Sequence, residues 1–156
     1  MAEQISEQIL RKIQEARGLY HRLVLVVGPP RSGKTKALQE VARATNFPLI
    51  SGSLELSRRL LDLTERQRAL RASALLEDIV TAHAGVLLDN LELLFDISLQ
   101  QDPLRLLQQL ARIRTVVAAW NGRIQGGYLT YAAPDHPEFR RYPAAGLLVV
   151  GTEVSA

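Results

Sequence analysis

The sequence predicts an α/β fold of three layers, in which about five parallel strands lie between helices on both faces. Three observations lead to this prediction. Short apolar runs recur at 23–27, 85–88, 115–120 and 146–151. Segments with helical spacing separate them, and strands that alternate with helices favour a parallel sheet. Continuous apolar runs also suit strands that are buried on both faces.

Length and composition set the broad class. With 156 residues, of which 47% are hydrophobic, the chain suits a single domain over 1–156 with a substantial core. The absence of cysteine excludes disulfides, thiolate metal sites and cysteine nucleophiles. The chain has no apolar segment long enough to span a bilayer, and its start is too polar for a secretory signal. We therefore expect a cytoplasmic protein with no membrane partner.

The first half of the chain supplies an N-terminal helix and the first two strands. Apolar residues at helical spacing predict an amphipathic helix within 1–18, which Gly18 ends. We expect the core to cover 20–151, with a strand at 23–27 and a helix from 34 to a C-terminal cap at Asn46. A short strand follows at 47–51.

Capping residues mark the next two helices. Ser53 is predicted to cap a helix over 54–63. Thr64 and Gln67 stand at capping-box spacing for another helix. One broad face of that helix is expected to carry Ala69, Leu70, Ala72, Leu75, Leu76, Ile79 and Val80.

The second half is predicted to contain three more strands. A strand at 85–89 ends in Asp89, and Asp102 with Pro103 starts a helix over 104–114. The fourth strand covers 115–120 and stops at Asn121-Gly122, after which 123–145 is expected to be a long loop. The fifth strand covers 146–151.

The segment between the first strand and its helix matches the pattern G-x-x-x-x-G-K-[ST]. It reads Gly28-Pro29-Pro30-Arg31-Ser32-Gly33-Lys34-Thr35 and continues into Lys36. Such a loop turns successive N–H groups towards one anion at the positive end of a helix. We expect this segment, the phosphate loop, to bind ATP, with Lys34 on the β- and γ-phosphates and Thr35 on Mg²⁺.

Asp89 ends an apolar strand downstream of the phosphate loop. A carboxylate there is placed to hold Mg²⁺, directly or through water. The alternative is a loop aspartate that caps a turn.

The order of these features resembles the additional-strand P-loop ATPases of the AAA+-like type, over about residues 20–151. The resemblance rests on Gly28–Thr35, then Leu87-Leu88-Asp89, then Asn121 and a further strand. It implies that Asn121 orients the attacking water or touches the γ-phosphate. The alternative for Asn121 is a simple Asn-Gly turn.

The chain also resembles the BrxF-like family of small P-loop proteins from type 3 BREX phage-defence systems, in its small size and in two segments, 86–95 and 129–138. This narrower resemblance implies an ATPase, or an ATP-binding component, of a bacterial multi-protein defence complex. The same resemblance implies that the chain forms a homo-oligomer, that it binds protein partners of that complex, and that it contacts DNA through those partners.

The chain departs from the AAA+-like pattern in two ways. Asn90 stands where a glutamate usually activates water, and an amide cannot accept that proton. Glu92 is the expected substitute, and Asn90→Glu is expected to raise hydrolysis if the base is missing. No C-terminal lid is recognised, so closure over the nucleotide would need another subunit. The resemblance then implies that Arg140 or Arg141 acts in trans as a catalytic arginine, the alternative being a solvated pair.

Two other functions stay open. A small-molecule kinase would use the same loop, with Arg123, Arg140 or Arg141 over the phosphates. A nucleotide-binding interaction module would hydrolyse little ATP. Three further patterns each have a simpler explanation: arginines over 58–71 as surface ion pairs, Asp135, His136 and Glu138 as loop residues, and the aromatic residues near 120–142 as an apolar cluster.

Overall fold

The computed structural model describes residues 4–152. Its helices are α1 (Ile5–Ala16), α2 (Lys34–Thr45), α3 (Gly52–Leu60), α4 (Glu65–Val80) and α5 (Pro103–Leu110). Two short 3₁₀ helices cover Glu92–Phe95 and Ile97–Leu99. The strands are β1 (Leu23–Gly28), β2 (Leu49–Ser51), β3 (Gly85–Asp89), β4 (Thr115–Gln125), β5 (Tyr128–Tyr131), β6 (Arg140–Pro143) and β7 (Leu148–Gly151).

The expected α/β architecture is confirmed in its main lines. Five strands pair in parallel in the order β2-β3-β4-β1-β7. Alternate residues of β1 enter two apolar clusters, so the sheet is covered on both faces. Val24 packs with Ile9 of α1 on one face, and Leu25 belongs to the cluster of α3, α4 and α5 on the other. This order places β1 next to β4, so that the carboxyl ends of both strands meet.

The sheet has seven strands rather than the predicted five. β4 does not stop at Asn121-Gly122 but continues to Gln125, and β5 and β6 add an antiparallel extension to it. Much of 123–145 is therefore strand and not loop. Gly126 and Gly127, with φ of 58° and 81°, make the tight turn between β4 and β5. Gly122 permits the close pairing, since a Cβ there would lie 1.9 Å from the carbonyl oxygen of Thr130.

Several of the predicted helix boundaries are confirmed. Asn46 ends α2 with a φ of 61° and an N–H that donates to the Ala42 carbonyl oxygen. Thr64 and Gln67 form the predicted capping box of α4. Asp102 caps α5, its side chain accepting from the N–H of Arg105. That helix ends at Leu110 and not at 114.

Two further predictions on the helices are wrong. α3 starts at Gly52 after Ser51, and the Ser53 hydroxyl instead accepts a hydrogen bond from the N–H of Leu93. Leu70 does not join the buried face of α4, because its side chain is 75% exposed. Within residues 4–152, no helix combines the length and apolar character that crossing a bilayer requires.

Candidate nucleotide-binding site

The phosphate loop lies between β1 and α2, as the motif predicts. β1 ends at Gly28, and Gly33 precedes α2 with a φ of 95°, which favours glycine. A Cβ at Gly28 would lie 1.8 Å from Oγ1 of Thr152 and 2.6 Å from Oγ of Ser32, so a larger residue there would displace the side chains that join the loop to the segment after β7. Arg31 also has a left-handed backbone, with φ of 63°. The loop is thus a tightly turned segment at the N-terminus of a helix.

Lys34 is held inside the loop. Its side chain is buried, and Nζ donates to the carbonyl oxygens of Gly28 at 2.9 Å and Pro29 at 2.5 Å. A longer contact of 3.3 Å reaches Oγ of Ser32. Burial lowers the pKa of Lys34, and the carboxylates of Asp89 and Glu92 act in the opposite direction. The ammonium therefore faces the inside of the loop, where a bound anion would compensate its burial.

Thr35, in the first turn of α2, contacts Asp89 at the end of β3. Thr35 Oγ1 donates to Oδ2 of Asp89 at 2.6 Å. The other carboxylate oxygen accepts from the N–H of Asn90 at 3.0 Å. Asp89 is buried and ends β3, as predicted. A hydroxyl and a carboxylate in contact at a phosphate loop are the oxygen donors that Mg²⁺ takes beside nucleotide phosphates.

Asn121 and Glu92 form a second pair. Nδ2 of Asn121 donates to Oε1 of Glu92 at 2.5 Å. Asn121 is paired in register with Gly28 inside the parallel sheet, so the alternative of an Asn-Gly turn is wrong. Glu92 begins the first 3₁₀ helix, two residues after Asn90. The chain turn after β3 thus brings the predicted substitute carboxylate to Asn121 of β4.

A cleft of about 380 Å³ joins these groups. Its lining residues are Pro30, Arg31, Gly33, Lys34, Thr35, Lys36, Asp89, Asn90, Glu92, Ala119 and Asn121. The remaining predicted loop residues, Gly28, Pro29 and Ser32, contact Lys34 from behind. Asp89 and Glu92 are the two carboxylates in this lining.

The two arginines predicted to act in trans lie elsewhere in their own chain. Arg140 Nη2 donates to the carbonyl oxygen of Gln101 at 2.9 Å. The Arg141 guanidinium lies 3.4 Å from the ring centroid of Tyr128. Neither is among the residues that line the cleft. Their action on a neighbouring subunit stays a prediction.

Thr152 is a site residue that sequence reasoning missed. Its hydroxyl donates to Oγ of Ser32 at 2.8 Å, and its N–H donates to the carbonyl oxygen of Val27. These bonds attach the segment after β7 to the phosphate loop. The only signal in the sequence is a polar residue directly after the last apolar strand.

The other sequence patterns have the simpler explanations. Arg58 and Arg59 pair with Glu55 on the surface of α3. Asp135, His136 and Glu138 lie in the turns between β5 and β6, where His136 Nδ1 accepts from the N–H of Glu138 at 3.0 Å.

The aromatic residues of the extension form an apolar cluster. Trp120 and Tyr131 are buried, and Phe95 stacks on Tyr131 with ring centroids 3.5 Å apart. Trp120 packs edge-on against both rings. Because these rings face one another inside the fold, they are not a platform for a base.

Comparisons with known proteins place few limits on this chain. No protein-family model and no curated protein matches it. Among solved structures it is similar to PCH-2 of C. elegans, with 14% sequence identity and a TM-score of 0.44. The match covers 94% of this chain and 41% of that one. None of these comparisons supports the narrower resemblance to BREX proteins.

Proposed function

We propose that this protein binds ATP with Mg²⁺ through residues 28–36 and hydrolyses it, as an ATPase or nucleotide switch of the P-loop type. The observation that carries the proposal is the contact between Thr35 and Asp89. It joins the phosphate loop after β1 to the carboxyl end of β3, which lies on the far side of β4, and ligands bind at the carboxyl ends of strands in open α/β sheets. The buried Lys34 beside it supplies the positive charge that a triphosphate requires.

Each residue then has a defined task. The loop N–H groups and Lys34 would hold the phosphates, and Thr35 and Asp89 would hold Mg²⁺, which neutralises phosphate charge. Glu92, the cleft carboxylate that Thr35 does not engage, would accept the proton of the attacking water. Asn121 would position Glu92, because its amide already donates to that carboxylate.

The second candidate function is a nucleotide switch with little turnover. Asn90 favours it, since this residue lines the cleft directly after Asp89 and an amide cannot accept a proton from water. We further propose, from the resemblance in the sequence, a cytoplasmic homo-oligomer within a defence complex that reaches DNA through partner proteins. A catalytic arginine of a neighbouring subunit, Arg140 or Arg141, belongs to the same proposal.

The deciding experiment compares Lys34→Ala with Lys12→Ala. Lys12 is a matched control because it lies on the surface of α1 and pairs with Glu15. Binding is measured by titration with a fluorescent ATP analogue and Mg²⁺, and phosphate release is measured on the same samples. Loss of the Lys34 charge should weaken binding by about tenfold or more, because hydrogen bonds to charged groups contribute most. Lys12→Ala should bind like the parent chain.

The same samples separate the candidate functions. Equal affinity in the parent and Lys34→Ala chains would refute the nucleotide site. Tight binding without phosphate release, alone and with added partners, would select the switch. Phosphate transfer to an added small molecule, in place of release, would select a kinase.

A further inference from the structure

A second cavity, of about 600 Å³, lies beside the cleft on the side of the antiparallel extension. We call it the β4 groove. Its lining residues are Pro29, Pro30, Asn121, Gly122, Arg123, Ile124, Gln125, Thr130, Ala132 and Ala133. It shares the lining residues Pro30 and Asn121 with the nucleotide cleft, so the two spaces adjoin. A molecule in the groove would therefore lie next to the ligand of the phosphate loop.

The groove favours an anion. Arg123 is the one charged residue among the described residues that line it, and none of them is acidic. Asn121, Arg123 and Gln125 alternate along β4 and so share one face of the strand, where two amides flank the guanidinium. By contrast, the cavity on the other side of Glu92 is lined by Glu92, Asp96 and Glu138. The two sides of the site thus differ in sign.

Part of the groove wall is built from small residues. Gly122, Ala132 and Ala133 leave room that larger side chains would fill. Ala132 has a left-handed backbone with a φ of 64°, a conformation that alanine rarely adopts. Unfavourable backbone conformations that the surrounding fold maintains concentrate at ligand sites. The open wall and the conformation of Ala132 are both consistent with a groove shaped for a ligand.

We propose that the β4 groove binds a small anionic molecule, a carboxylate or a phosphate monoester, whose oxyanion pairs with Arg123. Arg123 presents a fork of donors that matches two oxygens of such a group. The amides of Asn121 and Gln125 serve the polar remainder, and the end near Asn121 faces the terminal phosphate. This inference rests on the proposed function, because Asn121 belongs to both spaces.

The test uses the full chain saturated with Mg²⁺ and a non-hydrolysable ATP analogue, so that the phosphate loop is filled. Succinate and glycerol 3-phosphate are titrated as the two anion classes. The readout is the indole N–H resonance of Trp120, the only tryptophan in the chain. That N–H donates to the carbonyl oxygen of Thr130 at 3.1 Å, and Thr130 lines the groove. At least one anion should move the resonance in a saturable way.

Variants assign the effect to the groove. Arg123→Ala should weaken anion binding by about tenfold or more, through loss of a charge-assisted hydrogen bond. Arg123→Lys should retain part of the affinity. Arg71→Ala, an exposed arginine of α4, is the matched control and should bind like the parent. A Lys34→Ala chain, titrated without nucleotide, excludes anion binding at the phosphate loop and should still show a saturable shift.

Three results would overturn the inference. The first is that neither anion moves the Trp120 resonance. The second is that the Arg123→Ala chain binds the anion as tightly as the parent chain does. The third is that only an oligoglutamate peptide moves the resonance, which would indicate a protein partner. Failure of the proposed function is seen separately, as absence of nucleotide binding. The anion titration of the Lys34→Ala chain then still decides on the groove.

Discussion

Position 90 provides the sharpest test of how the chain leaves β3. Asn90 has a φ of 52°, in the left-handed region. Asparagine tolerates that region, whereas most residues with a Cβ lose roughly 1–2 kcal/mol there. The Asn90 side chain is exposed and makes one contact of 3.3 Å to Oγ of Ser51, which adds little. We therefore expect Asn90→Glu to lower the free energy of unfolding by about 1 kcal/mol.

Thermal and urea unfolding measure this loss. For a chain of this size, 1 kcal/mol corresponds to a fall in Tm of about 2–4 °C. Asn90→Gly should keep the stability of the parent within about 0.5 kcal/mol, since glycine adopts positive φ freely. Asn90→Asp is the matched control for charge, because it adds the same carboxylate beside Asp89 and Glu92 but tolerates the left-handed region better than glutamate. Equal losses in Asn90→Glu and Asn90→Gly would refute the backbone explanation.

The same variants test the general base. The sequence alone predicts that Asn90→Glu raises hydrolysis if the base is missing. In the structure Glu92 already contacts Asn121 within the cleft. We therefore expect Asn90→Glu to leave phosphate release unchanged and Glu92→Gln to lower it by about 100-fold. A rise in Asn90→Glu together with full activity in Glu92→Gln would show that Glu92 is not the base.

Three further predictions follow from the described contacts. Asp89→Ala should abolish the Mg²⁺ dependence of nucleotide affinity, because the metal would lose the carboxylate that lies beside Thr35; a normal Mg²⁺ response would place the metal elsewhere. Glu77→Ala should reduce the free energy of unfolding by about 1–2 kcal/mol, since the buried guanidinium of Arg114 loses its ion pair, whereas the exposed Asp78→Ala should not. Burial raises the pKa of Tyr131 to about 12, with Glu138 and Glu92 acting in the same direction. Below pH 10 the phenol of Tyr131 is protonated in both the folded and the unfolded chain, and between pH 10 and about 12 it is protonated only in the folded chain. The free energy of unfolding should therefore fall as the pH rises through this window, and it should fall less steeply in Tyr131→Phe.

The parts of the site that sequence predicts best are those defined by a motif or by a strand end. The loop pattern gives the place of Lys34 and Thr35. Because parallel strands end at one edge of the sheet, Asp89 and Asn121 are expected beside them. The sequence also suggests Glu92, although only by elimination. These are local signals combined with one rule of topology.

Contacts between distant segments decide the features that sequence does not predict. Ser53 is a good capping residue, but the N–H of Leu93 takes its hydroxyl, 40 residues away in the chain. The bond from Thr152 to Ser32 spans 120 residues. The extension of β4, in contrast, carries a local signal. The Gly126-Gly127 pair is typical of a β-hairpin turn, although 123–145 is predicted to be a loop. Tertiary partners thus override local preference where both are present.

The arrangement of the first 3₁₀ helix connects the two proposed sites. Glu92 begins this helix and Phe95 ends it, so a shift of one end moves the other. Phe95 stacks on Tyr131, which is paired with Gly122 in the wall of the β4 groove. If a triphosphate displaces Asn121 and Glu92 together, close packing in the aromatic cluster should pass the displacement to that wall. Coupling of this kind is reciprocal, so an anion in the β4 groove should change nucleotide affinity by the same factor as nucleotide changes anion affinity.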